Sequence, residues 1–211
     1  MSSSLARRVI RGLYAVTPDR SATPELVEQV RAAIEGGVRL VQYRNKAASH
    51  VLKLEQARAL KALCAPLGVT LIVNDHIDIA REVAAEGVHW GAEEGPAALG
   101  RAALAHDRLL GISCYDSLER AVRAQHDGAD YVAFGSFFPS RVKPGAVHAP
   151  IELLHQAKRE LALPLVAIGG ITLDNAPPLI DSGVDALAVI SALFDAPDIA
   201  AAARGFAALF E

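Results

Sequence analysis

The chain has 211 residues, is 52% hydrophobic and carries a formal net charge of −3. That length and apolar content suit one domain around a single core, and the slight acid excess excludes a general nucleic-acid binder, whose footprint is a basic face. No apolar run approaches the ~18 residues of a membrane span, and the opening Met1-Ser2-Ser3-Ser4-Leu5-Ala6-Arg7-Arg8 lacks the apolar centre of a signal peptide.

In chain order, residues 1–10 are expected to form a flexible or capping segment ahead of a first β run at 12–16. A helix over 24–35 follows, with Thr23 as its cap and Pro24 in its first turn. A strand at 38–43 leads to a helix at 50–64 carrying Val51, Leu54, Leu60 and Leu63, then to a strand at 69–73. The short helices 77–84 and 96–104 flank a strand at 86–90, and strands at 109–113 and 130–134 flank a helix at 117–127. The pattern closes with helix 150–161, strand 164–168, helix 174–181, strand 185–190 and helix 197–209.

Leu71-Ile72-Val73 and Leu165-Val166-Ala167-Ile168 are apolar without alternation, as strands buried on both faces of a parallel sheet must be. The eight βα units point to a single-domain (β/α)8 TIM barrel over 1–211. An open doubly wound sheet is the competing architecture, and the absence of Gly-x-Gly-x-x-Gly after the first strand disfavours it. Cys64 and Cys114 show no pairing pattern, which fits a reducing cytoplasm.

In such a barrel the carboxyl ends of all strands share one face, where active sites are built. Gly169-Gly170 after the seventh strand, with Thr172 opening a helix, and Ile190-Ser191 after the eighth supply the paired loops that usually hold a phosphate. Read singly, the glycines serve as a tight turn and Ser191 as a helix cap. Arg44 and Lys46, with one residue between them, project to one side of an extended chain. With Lys143, in the Gly/Pro-containing loop after strand 6 that also carries Ser140, they suit a diphosphate, although basic loop residues are commonly plain surface charges. Asp75 after Asn74, and Glu93-Glu94 after strand 4, offer Mg²⁺ the few carboxylates it needs; equally, they serve as helix caps and first-turn acids. His89 on Val88-His89-Trp90 faces either the interior or the helix layer, and a lone strand histidine is more often a hydrogen-bonded core residue than a ligand.

The order and spacing of Gly12-Leu13-Tyr14-Ala15-Val16-Thr17, Gln42 through Lys46, Asn74-Asp75, Gly87 through Gly91, Gly128 through Gly135, Ile168 through Thr172 and Val189-Ile190-Ser191 resemble the thiamine-phosphate synthase family over nearly the whole chain. The resemblance implies a Mg²⁺-assisted transferase that joins 4-amino-2-methyl-5-hydroxymethylpyrimidine diphosphate to thiazole phosphate, with pyrophosphate released. It also implies roles: Arg44, Lys46 and Lys143 for the diphosphate, Asp75 and Glu94 for Mg²⁺, Gln42 and Asn74 for the pyrimidine, and Ser113 beside the reacting centre. Backbone N–H groups of Gly170, Ile190 and Ser191 would hold the thiazole phosphate.

The chain departs from the family pattern at Ala92, where glutamine is frequent, at Glu94, where aspartate is usual, and at Val142, where threonine supplies a hydroxyl; Arg141 is the partial substitute. Two alternatives remain. A thiazole tautomerase of the same fold would carry a histidine where Tyr115 stands and has no use for the diphosphate set; a non-catalytic paralogue would bind thiazole phosphate or thiamine phosphate without turnover. Pro144-Gly145 suits a hinged lid, and self-association into a homo-oligomer is left open.

Overall fold

Each predicted apolar run becomes a strand because its residues have core on both sides to bury against. The computed structural model describes residues 6, 9–91, 94–139 and 148–211. The strands are β1 (Gly12–Val16), β2 (Leu40–Tyr43), β3 (Thr70–Asn74), β4 (Gly87–Trp90), β5 (Leu109–Tyr115), β6 (Tyr131–Phe134), β7 (Leu165–Ile168) and β8 (Ala186–Val189). All pair in parallel with their sequence neighbours, and β8 pairs with β1 in the register Gly12↔Ala186 to Ala15↔Val189, closing the barrel. This is the expected (β/α)8 architecture. No helix among the described residues is long and apolar enough to cross a membrane.

Strand parity divides the core in two. Leu13, Ala15, Val41, Leu71, Val73 and Val88 point outward to the helices, whereas Tyr14, Val16, Leu40, Ile72, Leu109 and Tyr131 fill the interior. Around the barrel run α1 (Thr23–Glu35), α2 (His50–Cys64), α3 (Ile77–Glu82), α4 (Ala97–Ala103), α5 (Leu118–His126), α6 (Glu152–Glu160), α7 (Pro177–Asp181), the single turn α8 (Ser191–Phe194) and α9 (Ile199–Ala208). α9 packs on α1, and Gly36 at the end of α1 permits the approach, since a Cβ there would lie 2.4 Å from the Ala200 carbonyl oxygen.

Two helix starts differ from expectation. Thr23 is the first residue of α1 rather than its cap, and its hydroxyl donates to Glu55 Oε1 at 2.6 Å instead. Thr172 does not open a helix: Thr172 N–H donates to Asn175 Oδ1 (2.8 Å) and Asn175 N–H to Thr172 Oγ1 (3.4 Å), a side-chain-closed turn that delays α7 to Pro177.

At the amino ends of the strands an acid recurs. Glu86, Asp130 and Asp185 immediately precede β4, β6 and β8. Their carboxylates accept from the backbone N–H of Leu71 (2.9 Å), Leu110 (2.8 Å) and Leu165 (2.8 Å) on the strands before. Each also pairs with a cation from the outer layer: Lys61, Arg101 and Lys158 respectively. The N–H of each acid donates back to the carbonyl of the same leucine. Every second strand junction after β2 is thus clamped, at the end opposite the candidate site.

Candidate active site

At the carboxyl end of the barrel, the loop after β1 fixes the loop after β2. Thr17 Oγ1 donates to the Arg44 carbonyl (2.9 Å) and accepts from the Arg44 N–H (2.8 Å). Asp19 Oδ1 accepts from Arg44 Nη1 and from the Lys46 N–H, each at 3.1 Å. Asn45, between them, turns away and is buried, donating to the Arg20 carbonyl (2.7 Å) and Gln56 Oε1 (3.0 Å). Arg44 is therefore held largely buried by its neighbours, while Lys46 is exposed.

Asp75 follows β3 with φ 61°, a left-handed conformation costly for a residue with a Cβ. Its N–H donates to the His89 carbonyl at 2.8 Å. Its carboxylate accepts from Asn74 Nδ2 (2.6 Å) and the Gly91 N–H (3.2 Å). Both acids approach Gly91: a Cβ there would stand 3.2 Å from Asp75 Oδ1 and 3.8 Å from Glu94 Cγ. The two acidic side chains thus approach the same residue, and an oxygen-donor pair of this kind fits Mg²⁺, which takes the rest of its shell from water and phosphate. Among the described residues no group of three or more His, Cys, Asp or Glu gathers as a fuller metal cage.

A polar chain crosses the interior beneath the mouth. Gln42 Nε2 donates to the Tyr14 hydroxyl at 3.0 Å, and the Tyr14 and Tyr131 hydroxyl oxygens lie 2.8 Å apart. His89 Nδ1 is 3.0 Å from the Tyr131 hydroxyl, and its Nε2 is 2.9 Å from Ser113 Oγ. His89 thus faces inward, and burial depresses its pKa to about 4, so the ring is neutral. Burial raises both phenols, which stay protonated. Gly111 makes room for Tyr131, because a Cβ there would lie 2.0 Å from Tyr131 Cζ. Just past Ser113 the β5–β6 register shifts and Tyr115 takes φ 53°, a bulge of the kind that re-aims side chains beside active sites.

On the opposite side, Gly169 and Gly170 have φ 107° and 62°. Their lack of side chains is also forced by contact, since Cβ atoms would fall 2.1 Å from Ser136 Oγ and 2.3 Å from the Pro139 carbonyl oxygen. The double glycine therefore packs the β7 loop onto the β6 loop, with Phe138 N–H donating to the Gly169 carbonyl at 3.0 Å and Asn175 Nδ2 to the Gly170 carbonyl at 3.0 Å. Ile190, not Ser191, is the N-cap of α8, so Ser191 is its first helical residue. The first N–H groups of that turn have no acceptor within the helix and are available to an anion.

Gln42, Arg44, Lys46, Asn74, Asp75, Glu94, Ser113, Gly169, Gly170, Ile190 and Ser191 all lie at or just beyond the carboxyl ends of strands, at one end of the barrel. Ser140 and Lys143, with Ala92, Arg141, Val142 and the Pro144-Gly145 hinge, lie outside the described residues. Sequence reasoning missed Tyr14 and Tyr131; their inward strand parity was the available signal. Cys64 and Cys114 are buried free thiols with pKa values pushed up to about 12, which keeps them protonated and inert.

The model of the thiamine monophosphate synthase family matches residues 13–193. A thiamine-phosphate synthase of Nitrosospira multiformis is 51% identical over 209 residues, 99% of this chain and 89% of that protein. One from Azoarcus sp. is 52% identical, covering 95% of this chain and 98% of its own. The solved thiamine phosphate pyrophosphorylase of Pyrococcus furiosus superposes with a TM-score of 0.87 at 36% identity, covering 97% of this chain and 96% of that one. With nearly the whole barrel matched in sequence and in shape, the chain belongs to the thiamine monophosphate synthase family.

Proposed function

We propose that this chain is a thiamine-phosphate synthase that couples 4-amino-2-methyl-5-hydroxymethylpyrimidine diphosphate to thiazole phosphate. The bond from the pyrimidine methylene carbon to the diphosphate oxygen breaks, the thiazole nitrogen bonds to that carbon, and thiamine phosphate and pyrophosphate leave. The observation that carries this reading is the approach of Asp75 and Glu94 to Gly91 at the same end of the barrel as the pinned Arg44. A diphosphate needs both a cation-binding pair of acids and fixed basic groups.

Bound Mg²⁺ would be held by Asp75 and Glu94 and would supply neutralising charge to the leaving diphosphate. Arg44, Lys46 and Lys143 contribute the remaining positive charge, and Ser140 contributes to substrate binding. Gln42 and Asn74 orient the pyrimidine, and Ser113 stands by the reacting carbon. Backbone N–H groups at Gly170, Ile190 and Ser191 bind the thiazole phosphate, with Gly169 setting the turn. Catalysis is then mostly positioning and charge stabilisation, and no general base is required.

Incubation of the purified chain with both substrates and Mg²⁺ tests the reading. Formation of thiamine phosphate supports it. Rearrangement of a thiazole carboxylate phosphate alone, or binding without turnover, would refute it in favour of a tautomerase or a binding paralogue. Against the tautomerase, the residue at this position is Tyr115, exposed with the Arg120 guanidinium 5.5 Å from its ring centroid, a group without the proton affinity of an imidazole.

A further inference from the structure

The five polar groups beneath the mouth have a definite proton order. An amide nitrogen can only donate, so the Tyr14 oxygen receives a hydrogen from Gln42 Nε2. The Tyr14 hydroxyl hydrogen then needs an acceptor of its own, and the Tyr131 oxygen at 2.8 Å provides it. Tyr131 passes its hydrogen to His89 Nδ1, 3.0 Å away, which must therefore be bare. With Nδ1 bare, the ring carries its hydrogen on Nε2 and donates it to Ser113 Oγ at 2.9 Å. If any link ran backwards with Gln42 as placed, one of the two buried phenol hydroxyls would lose its acceptor. Leaving such a group unmatched is far more costly than an ordinary hydrogen bond is favourable.

We propose that Tyr14, Tyr131 and His89 are positioning residues that commit the two ends of this chain. Ser113 Oγ, already accepting from His89, is left to donate its hydrogen to the substrate; Gln42, with its nitrogen engaged, turns Oε1 out as an acceptor. The interior thus presents an acceptor at the end of β2 and a donor at the end of β5. That pair suits a heteroaromatic ring with an amino group on one side and an oxygen gathering negative charge as it departs on the other. The consequence for substrate rests on the synthase reading; the proton order does not. Gly111 belongs to the same device, because only a residue without Cβ lets the Tyr131 ring cross β5 to reach both Tyr14 and His89.

Histidine ¹⁵N spectra of the full chain at neutral pH test the order directly, with the His89 signal assigned by its loss in His89→Gln. A protonated Nε2 with a bare Nδ1 is expected. The opposite tautomer, which requires Gln42 to be turned over, or a doubly protonated ring would overturn the proposal. Kinetics test the transmission. Tyr131→Phe strips the Tyr14 hydroxyl of its acceptor and should lower the melting temperature; per folded molecule it should lower kcat about tenfold while the KM for the pyrimidine diphosphate moves by less than about threefold. That loss should vanish when Ser113→Ala is already in place. Equal fold losses in both backgrounds overturn the link through Ser113, and Tyr14→Phe provides the same cycle if Tyr131→Phe is unstable. Failure of the unsubstituted chain to make thiamine phosphate would fall on the synthase reading alone, since the imidazole spectra need no turnover.

Discussion

At the floor of the barrel, Glu86, Asp130 and Asp185 each hold a backbone N–H of the preceding strand and a cation from the outer layer. At the mouth, Asp75 is held in a left-handed backbone conformation by Asn74 and the Gly91 N–H, and among the described residues no cation pairs with it. A carboxylate holds strands together at one end and stands without a cation partner at the other. A satisfied acid adds stability, whereas an uncompensated one stores an interaction for something yet to arrive.

Substitution at each end should separate these uses. Asp130→Ala strips the acceptor from Leu110 N–H and leaves the Arg101 guanidinium, 16% exposed, without its carboxylate. Unfolding in urea should show a loss of about 3–5 kcal/mol with kcat per folded molecule unchanged. A fall in kcat at full folding would break the division between floor and mouth.

His89, between the two ends, tests the interior by pH. The unfolded imidazole protonates near 6.5, the folded one only near 4. Protonation therefore favours the unfolded chain: the contribution is complete above about pH 6.5, shrinks as the pH falls towards 4, and changes no further below. Its full size is roughly 3 kcal/mol, read as the difference in pH-dependent urea midpoints between the natural chain and His89→Gln. Parallel curves for the two would remove His89 as the cause.

Asp75→Asn keeps a residue that tolerates positive φ but removes the charge. It should lower kcat/KM by roughly 10²-fold at fixed Mg²⁺ with the melting temperature unchanged or higher. Loss of stability instead would move Asp75 into the floor's class. The smallest effect is expected at Asp198, the N-cap of α9, whose Oδ1 accepts from the Ala201 N–H at 2.8 Å. Asp198→Ala should cost about 1 kcal/mol in thermal or urea unfolding and leave turnover alone.

The barrel was legible because strands buried on both faces read as short unbroken apolar runs, as in Leu71-Ile72-Val73. Helix starts were less legible. Thr172 and Asn175 close a turn by the same side-chain hydrogen bonds that would cap a helix, and α8 is a single turn, too short to show a period. The strand-end residues Arg44, Asp75, Gly170 and Ser191 could be placed by position alone, since strand ends share a face whatever the packing. Tyr14 and Tyr131, 117 positions apart, meet only through barrel closure. The floor acids left a readable mark in Gly128-Ala129-Asp130 and Gly183-Val184-Asp185, a helix-ending glycine followed by an acid before each strand. Its meaning depends on which amide the carboxylate reaches.

Because β1 bonds to β2 on one flank and to β8 on the other, no row of unpaired backbone amides faces solvent along the sheet. A neighbouring molecule therefore finds no template on which to add a strand. Loops over the mouth can be shortened, lengthened or recharged without exposing a surface that seeds fibrils, which leaves that rim free to diversify while the wall behind it stays closed.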